Sequence, residues 1–368
     1  MRFLRLHRVM SAAAMAAMLL VSCSDDDAPK RPNTGGEEDV SDPVMFVLNE
    51  GQMGYNNSTI DMLNLTDFSY TQDAYGTANP SVVLELGDTG NDLTIVGDKL
   101  YAVINGSHKV EVIDAKNCKN LGSINISSPR YAVAHGDYLY VSSWVGGDNN
   151  QGSVVKVDLA TNEVVASRGV GIHPEQMAEL NGKLYVTSSQ DYATGEFDNR
   201  LFVIDLSTFE VAEVFEVGTN MTQIQAANSQ LYLVSAGNYA DIASSIYVVN
   251  PTELTYKHLE IPATKLAVSG NNGYVLATTY DENWSATTTI SQIDLKTLSV
   301  SGLSLDKFDE LETPYAIAVD PKDGTLYVSD ACDYTTRGYV YAYNPATGER
   351  KGKYNAGVLP GHFAFYYK

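Results

Sequence analysis

The sequence predicts an all-β fold: a seven-bladed β-propeller with four-stranded antiparallel blades, closed by the C-terminal strand joining the first blade. Two landmarks, each repeated seven times, lead to it, together with a complementarity between the chain ends. The first landmark is a strong apolar strand, mostly of Leu-Tyr-Val type, at residues 44–47, 100–103, 139–142, 184–187, 231–234, 274–277 and 326–329. The second is the Asp or Asn that closes the next strand: Asn64, Asp114, Asp158, Asp205, Asn250, Asp294 and Asn344. Both recur every 39 to 56 residues and keep step along the 368-residue chain. Four short alternating strands in a unit of that length make a propeller blade.

Each strand has its own signal. Apolar and polar residues alternate with the strand period. β-Branched and aromatic residues fill the strands, while Gly, Asn, Asp and Pro fill the turns. A short alternating segment before a tight turn, such as Gly97-Asp98 or Asn181-Gly182, supplies the inner strand. The strong strand comes second, the strand ending in Asp or Asn third, and a final strand lies outermost. One blade cannot bury both its faces, whereas blades packed around an axis can. The first repeat starts at its strong strand and lacks an inner one. The last residues, 361–367, alternate as a strand with no repeat behind them. Pairing the two removes two open edges. No amphipathic helix stands out in the mature chain, which argues against an α/β fold.

The amino end is organised differently. Arg2, Arg5 and Arg8 precede an apolar run at 9–20 that is too short to span a bilayer, so residues 1–22 form a signal peptide. Its ending, Leu20-Val21-Ser22-Cys23, resembles the bacterial lipobox, which implies acylation of Cys23. Ser24-Asp25-Asp26-Asp27 resembles the acidic export tag of Bacteroidetes lipoproteins, which implies an outer-membrane lipoprotein exposed at the cell surface. Residues 23–42 are a flexible tether and 43–368 the propeller, so the membrane is touched only through lipid. The formal charge of −21 excludes nucleic acid as a partner, because phosphate and this surface repel. Cys118 and Cys332 fall on different faces of the fold, so no disulfide is expected.

Function is expected on one face of the ring. The loops between second and third strands, at 49–58, 105–109, 143–152, 188–200, 236–245, 279–288 and 330–338, are the longest and most variable. They gather there with the connections between blades. The candidate ligand-binding residues are the aromatics Tyr55, Trp144, Tyr192, Tyr239, Tyr280, Trp284 and Tyr334, beside His108, Asn149 and Arg337. At the entries to inner strands they are joined by Tyr131, His173, Gln176, Gln223 and Tyr315. Planar rings supply rigid contact area, and amides both donate and accept hydrogen bonds. No catalytic residues are assigned: nucleophile elbow, zinc-protease helix and phosphate loop are all missing. No histidine has metal-ligand spacing to a partner, so no metal is expected.

Three of the strong strands, Leu139-Tyr140-Val141-Ser142, Leu184-Tyr185-Val186-Thr187 and Leu326-Tyr327-Val328-Ser329, resemble the Tyr-Val-Thr-Asn repeats of YncE-like propellers. With the lipoprotein start, the opening Val47-Leu48-Asn49-Glu50-Gly51-Gln52-Met53-Gly54 looks like the BtuG group of Bacteroides surface lipoproteins. That resemblance implies a protein that binds vitamin B12 and related corrinoids and passes them to a BtuB-like TonB-dependent transporter. Cobalamin would be its bound ligand and no cofactor would be required. A surface glycan-binding or adhesion propeller is the alternative. An enzyme, such as a lactonase or a quinoprotein-like propeller, needs a metal or cofactor on the axis. The unclustered histidines and unremarkable inner-strand starts weigh against one.

Overall fold

The computed structural model describes residues 42–82, 85–147, 151–283 and 285–368. The signal peptide, Cys23 and nearly all of the tether therefore lie outside the described residues, as do Asn149 and Trp284. Seven four-stranded antiparallel sheets form the blades I to VII of a β-propeller. In blade I the inner strand is Pro360–Tyr366, which pairs with Val44–Asn49 from Val44 against Tyr366 to Asn49 against Pro360. The ring is thus closed by the last strand of the chain beside the first.

The strong strands are buried on both sides, and their alternation serves two interfaces. Leu100, Ala102 and Ile104 of blade II join Phe46 and Leu48 of blade I in one apolar cluster. Tyr101 and Val103, pointing the other way, join Leu139 and Val141 of blade III in the next. Such clusters bridge every neighbouring pair of blades, the last uniting Tyr327 and Val340 of blade VII with Met45 and Val47 of blade I. A strand that feeds two interfaces needs apolar residues at every position, so period-two alternation is lost there.

The recurring Asp or Asn is a turn device. Its side-chain oxygen accepts backbone N–H groups two and three residues on, as Asp158 does from Ala160 and Thr161 and Asp294 from Lys296 and Thr297. The residue four positions on takes a left-handed conformation in each blade: Phe68, Cys118, Asn162, Phe209, Leu254, Leu298 and Gly348. An Asx turn feeding a left-handed residue explains why Asp and Asn recur where strand-formers would otherwise fit.

Three details differ from the sequence reading. Blade I has an outer strand of only two residues, Tyr70–Thr71, followed by a helix at Ala74–Ala78. Five residues are too few to show a helical period. Tyr75 on that helix is buried and donates to the Glu111 carboxylate of blade II, 2.8 Å away. In blade VI the hairpin strands run on to Tyr280 and start again at Ala286, so the loop is shorter than 279–288. In blade VII the strand stops at Tyr343, one residue before Asn344.

Candidate axial mouth

The inner strands enter from the same end of the ring, and most break register as they do so. The irregularity falls between Pro129 and Ala132, Pro174 and Met177, Met221 and Gln223, Gly90 and Asp92, and Pro314 and Ile317. A bulge re-aims the side chains it carries, and these carry Arg130, Tyr131, Glu175, Gln176 and Tyr315. The freed backbone groups are satisfied by the hydroxyl ending the strong strand. Ser142 accepts from the Tyr131 N–H at 3.0 Å, Ser329 from Ala316 at 2.9 Å, and Thr187 donates to the Gln176 carbonyl at 2.8 Å. The Ser or Thr after Leu-Tyr-Val thus holds the bulge that builds the mouth.

A pocket of about 190 Å³ opens there, with Asp92, Tyr131, Gln176, Gln223, Lys265 and His362 in its lining. Two ion pairs flank it. His362 Nε2 lies 3.2 Å from Glu50, whose other oxygen accepts the Tyr315 hydroxyl at 2.8 Å. Gly361 makes this approach possible, since a Cβ at that position would collide with the Glu50 carboxylate. Burial alone would raise the Glu50 carboxyl. The His362 hydrogen bond and the charges of His362 and Lys265 hold it below its usual range. The second pair is Arg130 with Glu175, at 3.0 Å. Glu175 also accepts from Trp144 Nε1 at 3.2 Å and Ser189 at 3.1 Å.

Above these ions stands an aromatic stack. The Arg130 guanidinium lies 4.3 Å from the centre of Trp144, which stacks on His173 at 4.5 Å, and the Tyr192 ring lies against both, 5.6 Å from Trp144 and 6.0 Å from His173. His173 Nδ1 donates to the Gln190 carbonyl at 2.7 Å. Tyr315 meets Tyr334 edge-on at 6.3 Å, and Tyr131 meets His362 at 6.1 Å. Tyr55, Tyr192, Tyr239, Tyr280 and Tyr334 project into solvent, with exposures between 49% and 71%.

The structure therefore brings Tyr131, Gln176 and Gln223 to the pocket, Trp144, His173 and Tyr192 into one stack, and Tyr315 and Tyr334 into contact. Tyr55 lies on the blade I loop, Tyr280 ends a strand of blade VI, and Tyr239 packs on Phe197 at 6.2 Å and accepts from Asn220 at 3.2 Å. His108 spends Nδ1 on the Ser128 N–H at 3.0 Å, and Arg337 donates to Gln72 beyond the outer strand of blade I. Sequence reasoning missed Glu50, Arg130, Glu175, Lys265 and His362, and the inner-strand starts are not unremarkable. Aligning the repeats on Pro129, Pro174 and Pro314 would have revealed Arg130, Glu175 and Tyr315 directly after the proline.

Asp92 makes the pocket sensitive to pH. Burial pushes its carboxyl from 3.8 up to about 6, against the opposing His362 charge and the Ala132 N–H. The native state therefore holds this proton more tightly than the unfolded chain does. Its penalty is absent below pH 4 and complete above pH 6. Asp92→Asn keeps an acceptor for Ala132. The variant should be more stable than the parent by on the order of 3 kcal/mol at pH 7.5, and little different at pH 4. Urea unfolding at the two pH values measures this; a gap of equal size at both would refute the shift.

Residues 44–360 match the family described as a domain of unknown function, DUF5074. The chain belongs to the DUF5074 family. No curated protein matches the sequence. The DUF5074 propeller is similar in fold to a putative 6-phosphogluconolactonase from Bacteroides fragilis, with TM-score 0.62, 12% identity, and 89% of this chain covering 99% of that one. A hypothetical selenium-binding protein from Sulfolobus tokodaii gives 0.61 at 13% identity, covering 89% and 92%. Hydrazine synthase from Kuenenia stuttgartiensis gives 0.60 at 18%, covering 74% of the DUF5074 chain and 88% of its own. At these identities the likeness is one of fold.

Proposed function

We propose that this DUF5074 propeller is a lipid-anchored surface protein that captures a corrinoid, vitamin B12 or a relative, on its axial mouth. It passes the ligand to a TonB-dependent transporter and makes or breaks no bond. The observation that carries the reading is the set of solvent-exposed tyrosines on several blades around a polar mouth. A corrinoid is broad, flat and fringed with amides, too large for a pocket of about 190 Å³. It would rest on the aromatic crown with its fringe toward the polar floor. Rigid rings held apart on a stiff ring of blades suit such a ligand, because little entropy is lost on binding. The opening Asn49-Glu50-Gly51 that carries the BtuG-like resemblance lies at this mouth: Glu50 holds His362 and Tyr315, and Asn49 accepts the Gly357 N–H at 3.0 Å.

Purified protein mixed with cyanocobalamin and desalted should retain the pink absorbance. Replacing Tyr55, Tyr192 and Tyr280 together by Ala should weaken binding at least tenfold with little change in melting temperature, since all three rings are exposed. A folded protein that retains no colour rejects the corrinoid reading. If that protein instead binds oligosaccharides, and the same triple variant abolishes this, the crown is a glycan platform.

A further inference from the structure

The donors in the axial pocket outnumber the partners the protein gives them. Gln176 accepts the Ile224 N–H through Oε1 at 2.9 Å, and Gln223 accepts the Leu266 N–H in the same way at 2.9 Å. A backbone N–H requires an acceptor, so these contacts fix both amides with the oxygen toward the neighbouring blade and the NH2 turned away. Neither NH2 group has a hydrogen-bond partner among the described residues. Gln225 makes the contrast, because it spends both ends, accepting from Val268 and donating to the Leu266 carbonyl. The Lys265 ammonium forms no hydrogen bond or ion pair with a described residue, and its ring neighbour Tyr315 is 5.7 Å away.

The direct ion pairs point the same way. Arg130 is matched by Glu175 and His362 by Glu50. Asp92 gives an oxygen to the Ala132 N–H and makes no ion pair with Lys265. Lys265 has the Tyr315 ring as its contact and no hydrogen bond or ion pair; the charges of Glu50 and Glu175 reach it only from a distance, against a burial that lowers the ammonium, and it lines the pocket with two amide donors whose acceptor ends are occupied. We infer that the axial pocket is an oxyanion site, in which Lys265, Gln176 and Gln223 together bind a carboxylate or phosphate group. Such a group satisfies several N–H donors at once, and a charged acceptor makes stronger hydrogen bonds than a neutral one. The pocket is small enough to take a free anion or the anionic arm of a larger ligand resting on the crown. The inference stands whether or not that larger ligand is a corrinoid.

Calorimetric titration of the purified protein with sodium acetate, and separately with inorganic phosphate, at ionic strength fixed by chloride, tests it. At least one should bind at a single saturable site: acetate alone marks a carboxylate pocket, phosphate alone a phosphate pocket. Lys265→Met should weaken that binding tenfold or more. Gln223→Glu should do the same while keeping the acceptor for Leu266, and an unchanged melting temperature separates its effect from unfolding. The proposal is overturned if wild type shows no saturable site, if both variants bind as wild type does, or if neutral acetamide binds as tightly as acetate. Cyanocobalamin retention by the same variants reports on the crown separately.

Discussion

Removal of residues 360–368 is expected to abolish cooperative folding. The segment contributes the inner strand of blade I, and without it Val44–Asn49 loses its partners from Tyr366 to Pro360. Ala364 and Tyr366 leave one interblade cluster, and Phe363 and Phe365 leave the margin of another. Burying a large apolar side chain contributes about 1.5–3 kcal/mol. Several lost together, with a row of unpaired backbone groups, exceed the roughly 5–15 kcal/mol by which a native protein is stable. Tyr366 also ties blade I to the blade II turn through Asp98, at 2.7 Å. The truncated chain should give no sharp thermal transition by circular dichroism and should elute as aggregate, because its open strand edge templates association. Tyr366→Ala should fall between, with a lowered but cooperative melt. A monomeric truncated protein melting within a few degrees of the parent would show that the ring does not depend on this closure.

The ring was legible in the sequence because its signals are local and repeated. A strong strand buried on both faces needs an unbroken apolar run, and an Asx turn needs Asp or Asn at one position; both recur in every blade. The missing inner strand at one end and the surplus strand at the other gave the closure by subtraction. The floor of the mouth was illegible for a definite reason. Alternation tells which side chains face the axis only while register holds, and the bulges after Pro129, Pro174 and Pro314 break it where Arg130, Glu175 and Tyr315 stand. The partners are also distant: Glu50 meets His362 only because the ring closes. The helix at Ala74–Ala78 was hidden likewise, since its anchor is Glu111 on the next blade.

Glu175→Ala is expected to be the most damaging single substitution at the mouth. The carboxylate is buried and accepts from Arg130 Nε and Nη2, Trp144 and Ser189. Burial alone would lower the Arg130 guanidinium, and Glu175 leads the groups that reverse this; a guanidinium stays protonated in either setting, so the cation remains when its partner is removed. Breaking a buried pair from one side costs about 3–5 kcal/mol, because the survivor is left desolvated and uncompensated. Trp144 loses its ring N–H acceptor in the same step, which loosens its stack on His173. Replacing both charges, Arg130→Met with Glu175→Met, should recover most of the loss, since well-packed apolar residues often substitute for a buried pair at little cost. Urea unfolding of Arg130→Met, Glu175→Met and the double closes the cycle. A double variant as unstable as the sum of its singles would mean that the two residues do not act as a pair. If the cycle does show coupling, ligand binding should nonetheless stay weak in the stable double variant, because its fold is restored without the guanidinium under Trp144 or the acceptor for its ring N–H.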